Sequence, residues 1–118
     1  MSNFACHTKN AKEKVELVKF LHESCALRFS FGHRSETEYN GLYNQLLNLF
    51  NTEEDISFPI IMYCDGYLYK DMAPSYTCIH KDIPMYPFEY ILNNIEELIK
   101  IKKTNAYLLI KQQQKGEI

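Results

Sequence analysis

The segment "SFPIIMYCDGYLYKDM", residues 57 to 72, constrains this chain more than any other. Two runs of β-forming residues flank Asp65-Gly66, and a two-residue type I′ turn needs positive φ at both central positions. Asp-Gly meets that need, so the spacing predicts a β-hairpin with Cys64 opposite Tyr67 and Met62 opposite Tyr69. Tyr63 and Leu68 then share the other face. A hairpin cannot stand alone in water, so the rest of the chain must supply further strands and a covering layer.

The remaining segments read as those parts. Residues 3 to 8, "NFACHT", predict a short first strand. "NAKEKVELVKFLHESC" predicts a helix. Asn10 and Glu13 have capping-box spacing, and Val15, Val18, Leu21 and Cys25 line one face, widened by Leu17 and Phe20. "ALRFSFGH" alternates, with Leu27, Phe29 and Phe31 on one side and Arg28 and Ser30 on the other, as in a half-buried strand ended by Gly32. "SETEYNGLYNQLLNLF" predicts a second helix, with Ser35 and Glu38 at capping spacing and Tyr39, Leu42, Tyr43, Leu46, Leu47 and Phe50 at helical intervals. A short strand is expected at 76 to 79. "PFEYILNNIEELIKIK" predicts a third helix with Pro87 at its first position and a stripe of Phe88, Ile91, Leu92, Ile95, Leu98 and Ile99. "TNAYLLIK" alternates and predicts a last strand, with residues 112 to 118 as a frayed tail. The expected fold class is α+β: one domain over residues 1 to 111, with four to five mainly antiparallel strands and about three helices packed on them.

The 118 residues suit one domain with a core large enough to fold without a disulfide or metal. The net charge is -2, and only Arg28 and Arg34 among the thirteen basic residues are arginine. That balance excludes a broad phosphate-binding face. No run reaches the roughly twenty apolar residues of a membrane span. The first residues, "MSNFACHTKNAKEK", lack the basic region and apolar stretch of a signal peptide, so the expected location is the cytoplasm, with the four cysteines reduced.

Cys6, His7, His22, Cys25, His33, Cys64, Cys78 and His80 are the candidate zinc ligands, but paired CxxC spacing is missing and no metal is expected. Cys25 with His22, or Cys78 with His80, could join a thiol to a base. The chain lacks an oxyanion-forming glycine turn, a Walker loop and GxGxxG, so no catalytic residue and no cofactor are assigned. "LRFSFGHR" has the look of an aromatic RNA-binding strand. Its alternation instead groups Phe29 and Phe31 with Leu27 in the core, leaving Arg28, His33 and Arg34 as a small polar cluster suited to one phosphate or an acidic partner. Arginine and tyrosine are common interface anchors, so the candidate partner-binding residues are Arg28, His33, Arg34, Tyr63, Tyr67 and Tyr69.

Two resemblances bear on function. "VELVKFLHESCALRFSFG" and "FPIIMYCDGYLYKDM" together resemble short tailed-phage proteins in which a helix leads into "hxFLHxxGhxWSSG" and then a hairpin. This chain lacks the tryptophan and carries an extra helical segment at 36 to 50 and a C-terminal extension. The proline-strand-turn-strand segment with its following helix is also similar to the C-terminal half of a thioredoxin-like fold, here without a Cys-x-x-Cys pair and with Pro59 at the cis-proline position. The first resemblance implies a small phage-encoded protein that binds and inhibits or adapts a host or defence protein. The alternatives are an oligomeric sponge that sequesters a nucleotide signal, and a small cysteine-dependent enzyme or redox-dead thioredoxin-like module.

Overall fold

The computed structural model describes residues 3–50, 59–72 and 82–114. Strand β1 (Phe4–His7) leads into helix α1 (Ala11–Lys19), which runs on through a π-helical turn (Phe20–Ser24). Strand β2 (Arg28–Phe29), helix α2 (Glu36–Phe50), the hairpin strands β3 (Ile60–Cys64) and β4 (Tyr67–Met72), and strand β5 (Met85–Tyr86) follow. Helices α3 (Phe88–Leu98) and α4 (Asn105–Gln114) complete the described chain. The fold is α+β, and the described residues form four helices and one sheet in the order β2-β4-β3-β1-β5. Strand β3 is antiparallel to both its neighbours, while β2 and β5 join the two flanks in parallel.

The hairpin forms as its residues dictate. Asp65 and Gly66 both have positive φ, and the register pairs Cys64 with Tyr67, Tyr63 with Leu68 and Met62 with Tyr69. Alternation then divides the sheet. Phe4, Cys6, Phe29, Ile61, Tyr63 and Leu68 face the helices and share one buried cluster with residues from all four. Ala5, Ile60 and Met62 form a smaller cluster on the reverse face, with Cys64, Tyr69 and Ile83 against it. The two rings at the centre, Phe4 and Tyr63, are cross-strand partners stacked at 5.4 Å.

The helices begin where capping chemistry places them. Asn10 Oδ1 accepts from the Glu13 N–H at 2.8 Å, and the Glu13 carboxylate accepts in turn from the Lys9 N–H. Ser35 Oγ accepts from the Glu38 N–H at 3.2 Å. These side chains satisfy amide donors that the first helical turn leaves unpaired. Pro87 stands one residue earlier than expected, in extended conformation as the cap of α3 rather than as its first helical residue. It still sets the chain direction without wasting an N–H.

Helix α1 ends in a wide turn. The Cys25 N–H reaches the Phe20 carbonyl, and the Leu27 N–H reaches Leu21 across six residues at 3.0 Å. This seven-to-one closure is one residue wider than a Schellman turn and carries the left-handed residue such a turn uses, Ala26 at φ 58. Glycine adopts this conformation without a Cβ clash. Ala26→Gly is therefore expected to raise stability by about 0.5–1 kcal/mol, read as a higher urea midpoint at unchanged slope. An unchanged or lower midpoint would show that the turn holds Ala26 without strain.

The last segment departs from expectation. "TNAYLLIK" is helical, and α4 extends through Gln114, so residues 112 to 114 are ordered helix rather than tail. Thr104 explains the change. Its Oγ accepts from the Tyr107 N–H, capping the helix, and donates to the Ser24 carbonyl at 2.6 Å. Tyr107 is buried, and Lys111 Nζ donates to the Leu92 carbonyl. Helix α3 ends at Leu98, so its lysine-rich continuation becomes the α3–α4 link. The strand expected over "ALRFSFGH" shrinks to Arg28–Phe29, although the Ser30 N–H still bonds the Leu68 carbonyl. The strand expected at 76 to 79 lies outside the described residues.

Candidate functional site

The corner where β2 meets the start of α2 gathers most of the singled-out polar residues. Strand alternation turns Phe29 into the core and leaves Arg28 exposed. The Arg28 guanidinium lies over the Tyr39 ring, 3.8 Å from its centroid, and forks onto the Glu36 carboxylate at 3.3 and 3.4 Å. Arg34 Nε donates to the Phe31 carbonyl at 2.7 Å, and its NH1 lies 3.6 Å from Glu38. His33 is exposed beside it. Tyr67, half exposed at 50%, is the register partner of Arg28 across β2 and β4. Arg28, His33, Arg34 and Tyr67 thus belong to one end of the sheet.

The other two candidates do not join them. Tyr63 is 3% exposed and stacked on Phe4 in the helix-facing core, which corrects its reading as a surface anchor. It shares a face with Leu68, and that is the face the helices cover. Tyr69 lies half buried on the reverse face, packed against the cluster of Ala5, Ile60 and Met62.

Beneath Arg28 sits a second group, and sequence reading weighed its histidine only as a metal ligand or base. The π-turn carries His22 into a nest of Phe29, Tyr39 and Tyr43, with the Tyr43 ring centroid 4.1 Å from its own. His22 Nδ1 lies 2.7 Å from the Leu27 carbonyl, so Nδ1 carries the proton and donates it there. Tyr39 Oη stands 3.2 Å from the same nitrogen and accepts the Phe29 N–H at 2.8 Å. Tyr43 Oη donates to Glu23 Oε1 at 3.2 Å. Burial lowers the His22 pKa, the Leu27 carbonyl opposes that shift, and Arg28 adds to it. Burial raises the Tyr39 pKa, and burial with the Glu23 carboxylate raises that of Tyr43. The sequence signal that could have found this nest is the pair Tyr39 and Tyr43, one helical turn apart on the buried face of α2.

The thiols are placed otherwise. Cys6 and Cys25 are fully buried, and burial pushes each pKa up to about 12, so neither forms a thiolate near neutrality. The expected Cys25–His22 couple therefore lacks its nucleophile. Cys78 and His80 lie outside the described residues. Among the described residues, no three His, Cys, Asp or Glu side chains are grouped to hold a metal ion. Among them also, no helix is long and apolar enough to cross a membrane.

Among the described residues, the two edge strands, β2 and β5, are short and offer few free amides. In the parallel register of β2 with β4, the Phe29 amide points outward, and Tyr39 Oη occupies it. At the other edge, the register of β5 with β1 turns the Met85 amide outward. The next nitrogen facing that way belongs to Pro87, which has no hydrogen. Short, capped edges of this kind discourage pairing with another chain.

Comparison with protein-family models, with curated proteins and with solved structures returns no match.

Proposed function

We propose that this chain is a non-catalytic binding protein that engages a protein partner through side chains at the β2–α2 corner. One observation carries the reading: Arg28 is held in place before any partner arrives, stacked on Tyr39 and forked onto Glu36, beside the half-exposed Tyr67. An arginine already fixed loses little freedom on binding, and arginine and tyrosine are the residues that most often anchor interfaces. His33 and Arg34 flank this pair, and Tyr69 stands apart on the reverse face. With the described edge strands only two residues long, recognition runs through side chains rather than added strands. The partner class, a host or defence protein met by a phage-encoded inhibitor or adaptor in the cytoplasm, rests on the sequence resemblance.

The nucleotide-sponge alternative is less favoured. Arg28 and Arg34 each already face a carboxylate, Glu36 and Glu38, which a phosphate would have to displace. The cysteine-dependent alternative draws no support from Cys25, whose pKa of about 12 withholds the thiolate.

The test is affinity capture from bacterial lysate with the wild-type chain and with Arg28→Ala and Tyr67→Ala, followed by mass spectrometry of proteins and released small molecules. The expected result is one stoichiometric protein, bound at least about 10-fold more weakly by each variant. Equal retention by all three chains would remove this corner as the contact surface. A released nucleotide without a protein would replace the proposal with the sponge.

A further inference from the structure

We propose that His22 is a proton-sensitive latch that ties the end of α1, strand β2 and helix α2 together and sets how Arg28 is presented. The inference rests on the binding reading above, because it concerns the regulation of that same corner.

Among the described residues, the charged groups facing the imidazole already hold partners of their own. Its own turn supplies Glu23, whose Oε1 already accepts from Tyr43 Oη. Strand β2 supplies Phe29 and Arg28, and the arginine repels an imidazolium. Helix α2 supplies Tyr39, Tyr43 and Glu36, and the Glu36 carboxylate is forked onto Arg28. The tyrosine rings return some attraction to a cation. A charged ring attracts both carboxylates, and so competes with Arg28 for Glu36 (the first exchange) and with Tyr43 for Glu23 (the second). The first exchange loosens a contact that holds α2 against β2, and the second one that holds α2 against the end of α1.

The sign follows from burial. The folded-state pKa lies below the ordinary value of about 6.5, so between the two values the unfolded chain binds more protons than the folded one. The latch is closed above about pH 6.5. It weakens as pH falls below that value, and the loss levels off below the folded pKa.

The Phe29 amide reports the latch locally, since its acceptor, Tyr39 Oη, lies 3.2 Å from His22 Nδ1. The experiment combines an NMR titration of the His22 ring with hydrogen exchange of the Phe29 amide at pH 7.5 and 5.5, corrected for intrinsic exchange. His22→Asn, which keeps a donor near Nδ1 and cannot titrate, is measured beside the wild type, with His22→Phe as a second non-titrating variant. The expected result is a His22 ring that titrates below the ordinary histidine value. Phe29 protection should fall about 3- to 10-fold between the two pH values in the wild type, the ceiling being set by pH 5.5 lying one unit below the ordinary histidine value, and stay level in the variants. A ring titrating at or above 6.5, equal Phe29 protection at both pH values, or the same fall in both variants would each overturn the proposal. All readouts use the free protein. Failure of the binding reading appears separately, as Arg28→Ala and Tyr67→Ala leaving capture unchanged at pH 7.5.

Discussion

Phe4→Ala is expected to cost about 3–5 kcal/mol, a large share of the roughly 5–15 kcal/mol that holds a domain together. Phe4 is 1% exposed on β1, between β3 and β5, with its ring stacked on Tyr63. Deleting it removes buried apolar area, breaks the ring pair and leaves a void beneath the helices. The inner strands cannot close around that space, because each is fixed by hydrogen bonds on both sides. Urea unfolding followed by circular dichroism measures the loss. A cost under about 1 kcal/mol would mean that the Phe4–Tyr63 pair is peripheral to the core.

Tyr39→Phe is expected to destabilise the chain by about 1–3 kcal/mol, although it removes a single oxygen. The ring remains, and with it the surface on which Arg28 stacks. What goes is the acceptor of the buried Phe29–Tyr39 bond, which leaves the Phe29 N–H without a partner. Leaving a buried donor unmade costs more than a typical hydrogen bond contributes. Tyr39→Phe with wild-type stability and wild-type Phe29 exchange would show that water replaces the hydroxyl without penalty.

The two substitutions separate what could be read from the sequence from what could not. The hairpin was legible because turn chemistry is local: Asp65-Gly66 sets the register, and the register sets which side chains share a face. The apolar stripes of α1, α2 and α3 were legible for the same reason, since periodicity states which side of a helix must leave water. The alternation around Phe29 correctly separated the core residue from Arg28.

Other features turned on contacts between distant segments. "TNAYLLIK" satisfies a strand pattern through Leu108 and Ile110 and a helical one through Tyr107, Ile110 and Lys111. The Ser24 carbonyl, eighty residues away along the chain, is met by Thr104 and favours the helix. Alternation places Tyr63 and Tyr69 on opposite faces but does not say which face the helices cover, and it is the helices that make Tyr63 a core residue. The His22 nest needed the π-turn at the end of α1 and the arrival of α2. Its members, at positions 22, 29, 39 and 43, carry no shared motif.

By itself, then, the sequence determined the hairpin and its register, the caps at Asn10 and Ser35, the buried stripes and the α+β class. Each depends on interactions within a few residues or on the period of apolar side chains. The tertiary structure alone decided the strand order, the covered face, the helical ending, the capped edges and the company of His22 and Arg28. Those features arise where segments far apart in the chain compete for the same buried surface and the same hydrogen bonds, and no local pattern records the outcome.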